Sequence, residues 1–319
     1  MIPFLDAAAI RGAVSTVELL DAVESAYRDV AAGRDRSPIR TRLPLGEGDL
    51  LLMPGLRDGG QGATVKIVTV MGGNAARGLP TVQATVVWLD GTTGRPRAIL
   101  DGTTLTAMRT GAASGVGTRL LARPDASTLA VLGAGRQAEW QVHAVAAARP
   151  IRRVAVYARS AEARIDFAGR MADATGLAVD AVDSPEAAVR DADIVCCATT
   201  SSEPVFDAAW LKAGAHVNGI GAYRLGMVEI PAEAFGRATL VAVDSVDAAR
   251  EEAGDVMAAV EAGSVDEGSL VEIGSVGRDW AHGRDPGAIT IFKSVGLAIQ
   301  DVAAAELVVA RLLGDSIGP

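Results

Sequence analysis

The stretch LAVLGAGRQA, residues 129–138, decides how the rest of the chain is interpreted. Gly133 and Gly135 follow a short apolar run, and Ala138 stands where a third glycine is usual. Glycines at this spacing let the backbone approach a pyrophosphate, which the N-terminus of the following helix then stabilises. The run STLAVLG predicts the strand, and residues 136–149 the helix, that this motif requires. We therefore predict a dinucleotide-binding loop, with a plain tight turn as the alternative.

From Ser127 onward the sequence alternates between strand-like and helix-like segments. This pattern predicts an α/β fold with right-handed βαβ units and a doubly wound parallel sheet of the Rossmann type. The preceding part has a capping box at Ser15 and Glu18 that begins a helix over 15–32, then short runs typical of an antiparallel meander. A small-residue helix at 101–122 and a long helix at 294–313 complete the expected helices around these runs. The expected strands are 41–45, 49–55, 62–70 and 81–90 before the loop, and 127–133, 153–159, 177–182, 192–199, 215–221, 239–245 and 288–292 after it.

The composition limits the possible partners. The 319 residues carry a net charge of −9, and Lys and Arg form no run. A nucleic-acid or anionic-membrane surface therefore has no electrostatic support. No stretch of about 18 apolar residues occurs, and the first residues do not have the pattern of a secretion signal. We expect a cytoplasmic protein that acts on a small molecule.

Few residues suit metal or nucleophilic chemistry. Cys196 and Cys197 are adjacent, a spacing that rarely allows a disulfide, so we expect buried thiols. The chain has no H-E-x-x-H, C-x-x-C or G-x-S-x-G motif, which argues against a metal centre or an esterase. The three histidines lie outside the first part of the chain, so histidine-based alcohol chemistry is poorly supported. They are His143, His216 and His282.

The second strand of the parallel series indicates which dinucleotide is bound. NAD enzymes usually end this strand with a carboxylate that accepts hydrogen bonds from the ribose 2′-hydroxyl. Here the strand ends Tyr157-Ala158-Arg159-Ser160. A guanidinium and a hydroxyl suit a 2′-phosphate, so NADPH is favoured over NADH. The alternative is that Arg159 is only a solvated residue at the end of a strand.

Several cations lie in apolar or small-residue surroundings before the glycine loop. Lys66 interrupts ATVKIVTV, and strand alternation places it on one face with Thr64. Burial of a lysine is costly unless an anion or substrate meets it. Arg109 lies within the small-residue helix, and Arg40 and Arg42 lie in SPIRTRLPL. Together these cations suit a clamp for a substrate carboxylate, whereas for each alone an ordinary surface ion pair is the alternative.

Several stretches, taken in order, form a recognisable set: SPIRTRLP, GATVKIVTV, LPTVQATVVWLD, LTAMRTGAASGVGTRLLAR, VLGAGRQA, AGAHVNGIGAYR, VDS with EEAGDV, and IFKSVGLAIQDVAAA. Over almost its whole length the chain thereby resembles the ornithine cyclodeaminase and mu-crystallin family. That family consists of homodimers in which a Rossmann domain is inserted into an α+β substrate and dimerisation domain. The resemblance implies a substrate and dimerisation domain at residues 1–122 plus 292–319, and a dinucleotide-binding domain at residues 123–291.

The resemblance also implies roles for individual residues. Arg40, Lys66 and Arg109 are expected at the substrate carboxylate and in catalysis, and Glu252 at a ligand. Lys66 is the best candidate for a proton-bearing group, and Arg109 is also expected near the cofactor. The other cofactor contacts implied by the family are Thr81 and Val82, then Gly133, Ala134, Gly135, Arg136 and Gln137 at the pyrophosphate, Ala158, Arg159 and Ser160 at the 2′-phosphate, and Thr199, Thr200, Ile220 and Ser294 around the adenosine or nicotinamide.

One position departs from the family members that cyclise ornithine. They carry an aspartate after the N-x-x-G strand, where this chain has Tyr223, and a neutral phenol cannot act as a base near pH 7. The pattern is closer to the imine reductases of the family. We predict an NADPH-dependent reductase that converts Δ1-pyrroline-2-carboxylate or Δ1-piperideine-2-carboxylate to an L-amino acid. The alternatives are an ornithine cyclodeaminase or alanine dehydrogenase-like enzyme, and a non-catalytic, crystallin-like binding protein.

Overall fold

The computed structural model describes residues 1–314 and confirms the predicted α/β class. The chain divides into two compact units, Met1–Arg109 with Leu297–Pro319, and Thr110–Gly296. The interval expected for the dinucleotide domain, 123–291, lies inside the second unit. The boundary between Arg109 and Thr110 falls within the helix Gly102–Leu121, because the later part of this helix packs in the second unit. A Cβ atom added to Gly111, for example, would lie 2.5 Å from the carbonyl oxygen of Trp140.

The first part of the chain forms a mixed sheet with helices. Its elements are β1 (Phe4–Leu5), α1 (Ala7–Ala13), α2 (Thr16–Ala31), β2 (Thr41–Leu45), β3 (Gly48–Leu56), β4 (Gly62–Val70), β5 (Val82–Asp90), β6 (Pro96–Asp101) and α3 (Gly102–Leu121). The strand order is β1-β6-β5-β4-β3-β2, antiparallel except that β1 runs parallel to β6. The predicted capping box begins α2, because Ser15 and Glu18 each accept a hydrogen bond from the other's backbone N–H. The meander predicted from the sequence is therefore present.

The second unit contains the alternating strands and helices. Its elements are β7 (Thr128–Leu132), α4 (Arg136–Ala148), β8 (Arg153–Tyr157), α5 (Ala161–Thr175), β9 (Ala178–Ala181), α6 (Pro185–Val189), β10 (Ile194–Cys197), β11 (His216–Gly219), α7 (Ala232–Arg237), β12 (Ala238–Val243), α8 (Val246–Glu252), α9 (Gly254–Glu261), β13 (Val271–Glu272), α10 (Trp280–Gly283) and β14 (Ile289–Lys293). All neighbouring strands are parallel, in the order β13-β12-β14-β11-β10-β7-β8-β9. Short 3₁₀ helices across both units lie at Gly72–Arg77, Ala208–Trp210, Glu267–Ser269 and Ile273–Ser275.

The last helix, α11 (Ala298–Leu313), belongs to the first unit. It packs against α2, β3 and β4 and covers one face of the mixed sheet. Side chains alternate across a strand, so this inner face carries every second residue of each strand. Met53, Val68 and Val86 are buried there, whereas Ile67 lies on the opposite face and is 45% exposed. The arrangement makes the inner face the place where a polar side chain loses contact with water.

The remaining sequence expectations concern cysteines, membranes and metals. Cys196 and Cys197 are free thiols buried on β10, as expected, and burial raises the pKa of Cys196 to about 12. Across residues 1–314, we find no helix with the length and apolar character needed to cross a membrane. The same part of the chain holds no group of three His, Cys, Asp or Glu side chains suited to a metal ion.

Candidate functional site

A buried cluster of charges lies in the first unit, beneath α11. Lys66 of β4 faces inward with Thr64, as strand alternation predicts, and both are only 1% exposed. The Lys66 Nζ atom lies 2.6 Å from Oδ2 of Asp301 on α11. The Arg109 Nε atom, from the first half of α3, lies 3.0 Å from Oδ1 of the same carboxylate. Two predicted substrate residues therefore meet at one aspartate that the sequence analysis did not name.

Burial and mutual charge set the protonation of this cluster. Burial, with a further contribution from the charge of Arg109, lowers the pKa of Lys66 to about 7, although Asp301 opposes the shift. Burial alone raises the pKa of Asp301, but the charges of Arg109 and Lys66 outweigh it and hold that pKa below its usual value. With all three groups ionised, the cluster carries two positive charges and one negative charge. An additional anion is therefore favoured at this place, because charge is poorly screened where water is excluded.

The guanidinium of Arg109 is held by a second polar residue of α11. Its Nη1 atom donates to Oε1 of Gln300 at 2.6 Å. The same oxygen accepts a hydrogen bond from the backbone N–H of Leu297 at 3.0 Å, and Nε2 of Gln300 donates to the hydroxyl of the buried Tyr27. Both the oxygen and the nitrogen of the Gln300 amide are therefore held by hydrogen bonds, and the amide oxygen in turn orients the guanidinium of Arg109.

Gln300 and Asp301 are the functional candidates that sequence reasoning missed in the first unit. A signal existed, since both lie in the quoted stretch IFKSVGLAIQDVAAA, where they interrupt an otherwise apolar run. Polar residues on the buried side of a helix are uncommon unless they are paired. The sequence does not show which residues pair with them, because the partners lie far away in the chain.

The other predicted residues of the first unit occupy two places. Arg40 is half-buried immediately before β2, and its charge contributes to the lowered pKa of Lys66, so it belongs to the same electrostatic neighbourhood. Val82 opens β5 opposite Val70, and Thr81 precedes it. Since Val86 is the residue opposite Lys66, Val82 lies four strand positions away, about 13 Å along the strand. Thr81 and Val82 are therefore separate from the charge cluster.

The glycine loop of the second unit has the backbone geometry that the motif requires. Gly133 has φ +117°, and a Cβ atom there would lie 2.5 Å from the carbonyl oxygen of Ala198, so only glycine fits. Gly135 caps α4, nothing lies within 4 Å of the place a Cβ atom would take, and no side chain in the described part of the protein caps this helix end. Ala138 is fully buried in the core under the loop. The first turn of α4 is thus open to an anion from the solvent side.

The predicted cofactor residues of the second unit gather at one edge of the parallel sheet. The carboxyl ends of parallel strands share an edge, and the strand order reverses between β7 and β10, which is where ligands bind in such sheets. The predicted residues follow the ends of their strands as Gly133, Ala134, Gly135, Arg136 and Gln137 after β7, Ala158, Arg159 and Ser160 after β8, Thr199 and Thr200 after β10, Ile220 after β11, and Ser294 after β14.

The residues expected at a 2′-phosphate lie on the surface. Arg159 and Ser160 are both exposed. The Ser160 hydroxyl oxygen accepts a hydrogen bond from the backbone N–H of Ala163 at 3.1 Å and so caps α5. Its hydroxyl proton is still able to face an anion. Within residues 1–314, Arg159 forms no ion pair.

Ser294 is already committed to a neighbour that the sequence analysis passed over. Asp244 follows β12, is 1% exposed, and accepts hydrogen bonds from the Ser294 hydroxyl at 2.9 Å and from the N–H groups of Val295 and Gly296 at 3.0 and 2.8 Å. This carboxylate fixes the chain just after β14. Asp244 belongs to the motif VDS quoted from the sequence, which had indicated the segment but not the role.

The second unit also contains the two remaining positions of interest. Glu252 is the last residue of α8 and is half-buried. Tyr223, in the turn region after β11, is half-buried as well. The predicted substrate residues therefore fall on both units, with Arg40, Lys66 and Arg109 in the first and Glu252 in the second.

Comparison with known proteins gives consistent results over the whole chain. The model of the "Ornithine cyclodeaminase/mu-crystallin family" matches residues 3–316. A Δ1-pyrroline-2-carboxylate reductase of Bacillus cereus is 36% identical over 312 residues, which cover 97% of this chain and 96% of the relative. A structure of Thermococcus litoralis Δ1-pyrroline-2-carboxylate reductase with NADH and L-proline has a TM-score of 0.92 at 33% identity and covers 100% of this chain and 99% of the other. An archaeal alanine dehydrogenase dimer with bound NAD has a TM-score of 0.88 at 32% identity, covering 100% and 98%.

These similarities bear directly on the sequence predictions. The resemblance recognised from the motifs is confirmed, and the activity predicted from them is the one named for the first two relatives. The two structures contain NADH or NAD. The preference for NADPH inferred from Arg159 therefore stays a prediction.

Proposed function

Since the chain belongs to the ornithine cyclodeaminase/mu-crystallin family, we propose that it reduces a small cyclic imino acid, Δ1-pyrroline-2-carboxylate or Δ1-piperideine-2-carboxylate, to the L-amino acid. The observation that carries the proposal is the buried cluster of Lys66, Arg109 and Asp301, whose excess positive charge suits the carboxylate of such a substrate. The similarity to Δ1-pyrroline-2-carboxylate reductases supports the same substrate class.

The first unit holds the substrate in this proposal, and the second unit holds the dinucleotide. Arg109 binds the substrate carboxylate with its fork, which Gln300 and Asp301 keep in place. Arg40 and Lys66 add positive charge. A nicotinamide dinucleotide, when bound, supplies the hydride that reduces the imine carbon.

Lys66 is suited to carry the proton that the ring nitrogen needs. With a pKa of about 7, its amine exists in both protonation states near neutral pH, as efficient general acid-base catalysis requires. Asp301 holds the Nζ atom in a fixed position through the 2.6 Å contact. Lys66 is only 1% exposed, because β4 and α11 exclude water from its side chain. Water therefore does not take the proton from Lys66 and Asp301.

The cofactor in this proposal is NADPH rather than NADH, because Arg159 and Ser160 follow β8 where a carboxylate would otherwise accept from the ribose. Arg159→Gln should raise the KM for NADPH about tenfold or more and leave the KM for NADH unchanged. Arg153→Gln, the same exchange at an exposed arginine of β8, serves as the control. An equal effect of Arg159→Gln on both dinucleotides would contradict the preference.

We also propose that the protein is a homodimer formed through the outer face of the mixed sheet. This face is apolar and open: Leu43 and Ile67 are 48% and 45% exposed, and Leu52 lies opposite Ile67. Contiguous apolar surface of this kind marks an interface, and the similar archaeal alanine dehydrogenase is described as a dimer. Ile67→Lys should convert a dimer to a monomer in analytical ultracentrifugation, whereas Ile165→Lys, a 62% exposed residue of α5, should not. A monomeric parent protein would refute the proposal.

The test of the activity is a dinucleotide oxidation assay with both cyclic imines. We expect turnover with NADPH and one or both imines, and no release of ammonia from ornithine with NAD, since Tyr223 stands where a base would be needed. Pyruvate with ammonia tests the alternative of an alanine dehydrogenase, which the similarity to the archaeal enzyme favours. Tight dinucleotide binding without turnover of any of these substrates would instead indicate a binding protein.

The place of action that we propose is the cytoplasm. The cysteine content supports this: the sequence has two cysteines, adjacent and poorly placed to pair with each other, whereas secreted proteins commonly carry disulfides. Fractionation of the native host with an antibody against the protein tests it, and recovery outside the cytoplasmic fraction would contradict it.

A further inference from the structure

A fully buried carboxylate connects two loops at the edge of the parallel sheet. Glu229 lies between β11 and α7 and is 0% exposed. Its Oε1 atom accepts hydrogen bonds from the backbone N–H and the hydroxyl of Thr199, at 2.5 and 2.8 Å. Its Oε2 atom accepts from the N–H groups of Gly221 and Ala222, at 2.7 and 2.9 Å. One side chain therefore joins the loop after β10 to the loop after β11.

Glu229 is itself held by a second buried pair. Asp255 of α9 accepts hydrogen bonds from the backbone N–H groups of Glu229 and Ile230, the latter at 2.9 Å. Nζ of Lys293, at the end of β14, lies 2.5 Å from the other oxygen of Asp255, and both side chains are fully buried. Burial raises the pKa of Glu229, and the charge of Lys293 opposes that shift. Four donors on the Glu229 carboxylate, three of them backbone N–H groups, favour its ionised form.

The loop after β10 is packed between the loop after β11 and the glycine loop. A Cβ atom on Gly221 would lie 2.1 Å from the carbonyl oxygen of Thr199 and 2.6 Å from Oε1 of Glu229. A Cβ atom on Gly133 would lie 2.5 Å from the carbonyl oxygen of Ala198 and 3.6 Å from the Thr199 side chain. The ends of β7, β10 and β11 are thus in direct contact, without space for adjustment.

We infer that Glu229 is a positioning residue for the dinucleotide, which acts by fixing the loops of Thr199 and of Gly221 before the ligand arrives. The inference rests on the proposed function, because it assigns these loops to the dinucleotide pocket. Every hydrogen bond of the Glu229 carboxylate ends on loop residues at the ligand edge and none on a helix or strand of the described chain. Preorganised loops lose less conformational freedom on binding, so affinity rises without a direct contact. Asp255 and Lys293 fix Glu229 in turn.

The decisive variant is Glu229→Gln. An amide presents one oxygen and one NH₂ group to two sets of donors, so one loop loses its acceptor while the side-chain volume is kept. We expect the Kd for NADPH and NADH, measured by nucleotide fluorescence, to rise about tenfold or more. The KM for the dinucleotide should rise equally, while kcat at saturating dinucleotide changes by less than about threefold. Glu233→Gln, the same exchange at an exposed residue of α7, is the matched control.

The outcomes separate the inference from the function on which it rests. A parent protein that binds no dinucleotide refutes the proposed function. A parent protein that binds, together with a folded Glu229→Gln variant of unchanged Kd, overturns the inference alone, even if its midpoint of urea unfolding has fallen. If Glu229→Gln does not fold, Asp255→Asn decides instead, because Asp255 contacts the backbone of Glu229 and Ile230 but makes no hydrogen bond to Thr199, Gly221 or Ala222. A rise in Kd of about threefold supports the inference, and an unchanged Kd overturns it.

Discussion

Replacement of Lys66 by methionine is the most direct perturbation of the proposed chemistry. Lys66→Met removes the amine that lies 2.6 Å from Asp301 and keeps a flexible apolar stem of similar length. In the parent protein the buried cluster holds two positive charges and one negative charge. In the variant one positive and one negative charge remain, because Arg109 retains its 3.0 Å contact with Asp301. We therefore expect the variant to fold.

The size of the effect depends on what Lys66 does. Loss of a general acid costs about 10²- to 10⁴-fold in kcat, which corresponds to about 3–5 kcal/mol in the activation barrier. Loss of a cation that only binds the substrate carboxylate raises KM and leaves kcat unchanged. The structure favours the first result, because the pKa of about 7 places the Lys66 proton where transfer near neutral pH is efficient.

The assay is NADPH oxidation with both cyclic imines between pH 6 and pH 9. For the parent protein, kcat/KM should fall about tenfold per pH unit above the Lys66 pKa of about 7. This limb should be absent in Lys66→Met. Any limb that comes from the imine nitrogen remains in both proteins, so the difference between the profiles reports Lys66. Lys212→Met, the same exchange at a partly exposed lysine of the second unit, should behave as the parent protein does.

Two results would refute the reasoning. Unchanged kcat of Lys66→Met with both imines would exclude Lys66 as the general acid, and an unchanged KM as well would exclude it from substrate binding. An unchanged alkaline limb in a slower variant would assign the titration to another group. Either result leaves the positive cluster in place but removes its proposed chemistry.

Three further predictions concern the same groups and the glycine loop. Asp301→Asn leaves two buried cations without their counter-charge, so urea unfolding should show a loss of about 3–5 kcal/mol, and the alkaline limb of the rate profile should move to lower pH. Gly133→Ala should destabilise the fold, because of φ +117° and the 2.5 Å approach to Ala198, whereas Gly135→Ala should unfold like the parent protein and bind dinucleotide more weakly. Between pH 7 and pH 8 the free energy of unfolding should rise, and it should rise less in Lys66→Met. The folded pKa of Lys66, about 7, lies below its usual value, so the unfolded chain binds more protons in that window. Three results would contradict these expectations in turn. They are a loss for Asp301→Asn no larger than that for Asp173→Asn at an exposed position of α5, equal unfolding of both glycine variants, and identical pH slopes.

Features set by near neighbours in the chain were predictable. The capping box of α2, the inward direction of Lys66 and the tight turn at Gly133 each follow from residues within a few positions. Glu229 was not predictable in this way. Nothing in its surroundings, GMVEIP, marks it as a ligand-edge residue, and its Thr199 partner lies 30 positions earlier.

The sequence by itself determined the strand-turn-helix at Gly133, the succession of parallel strands and the family resemblance, because these depend on local spacing and on the order of motifs. Only the tertiary structure decided that Lys66 and Arg109 share Asp301, which lies 192 positions after Arg109. The same holds for the loops joined by Glu229. The physical reason is that the charge balance of a buried group depends on what packs against it, and α11 and α9 reach their partners only when the chain has folded.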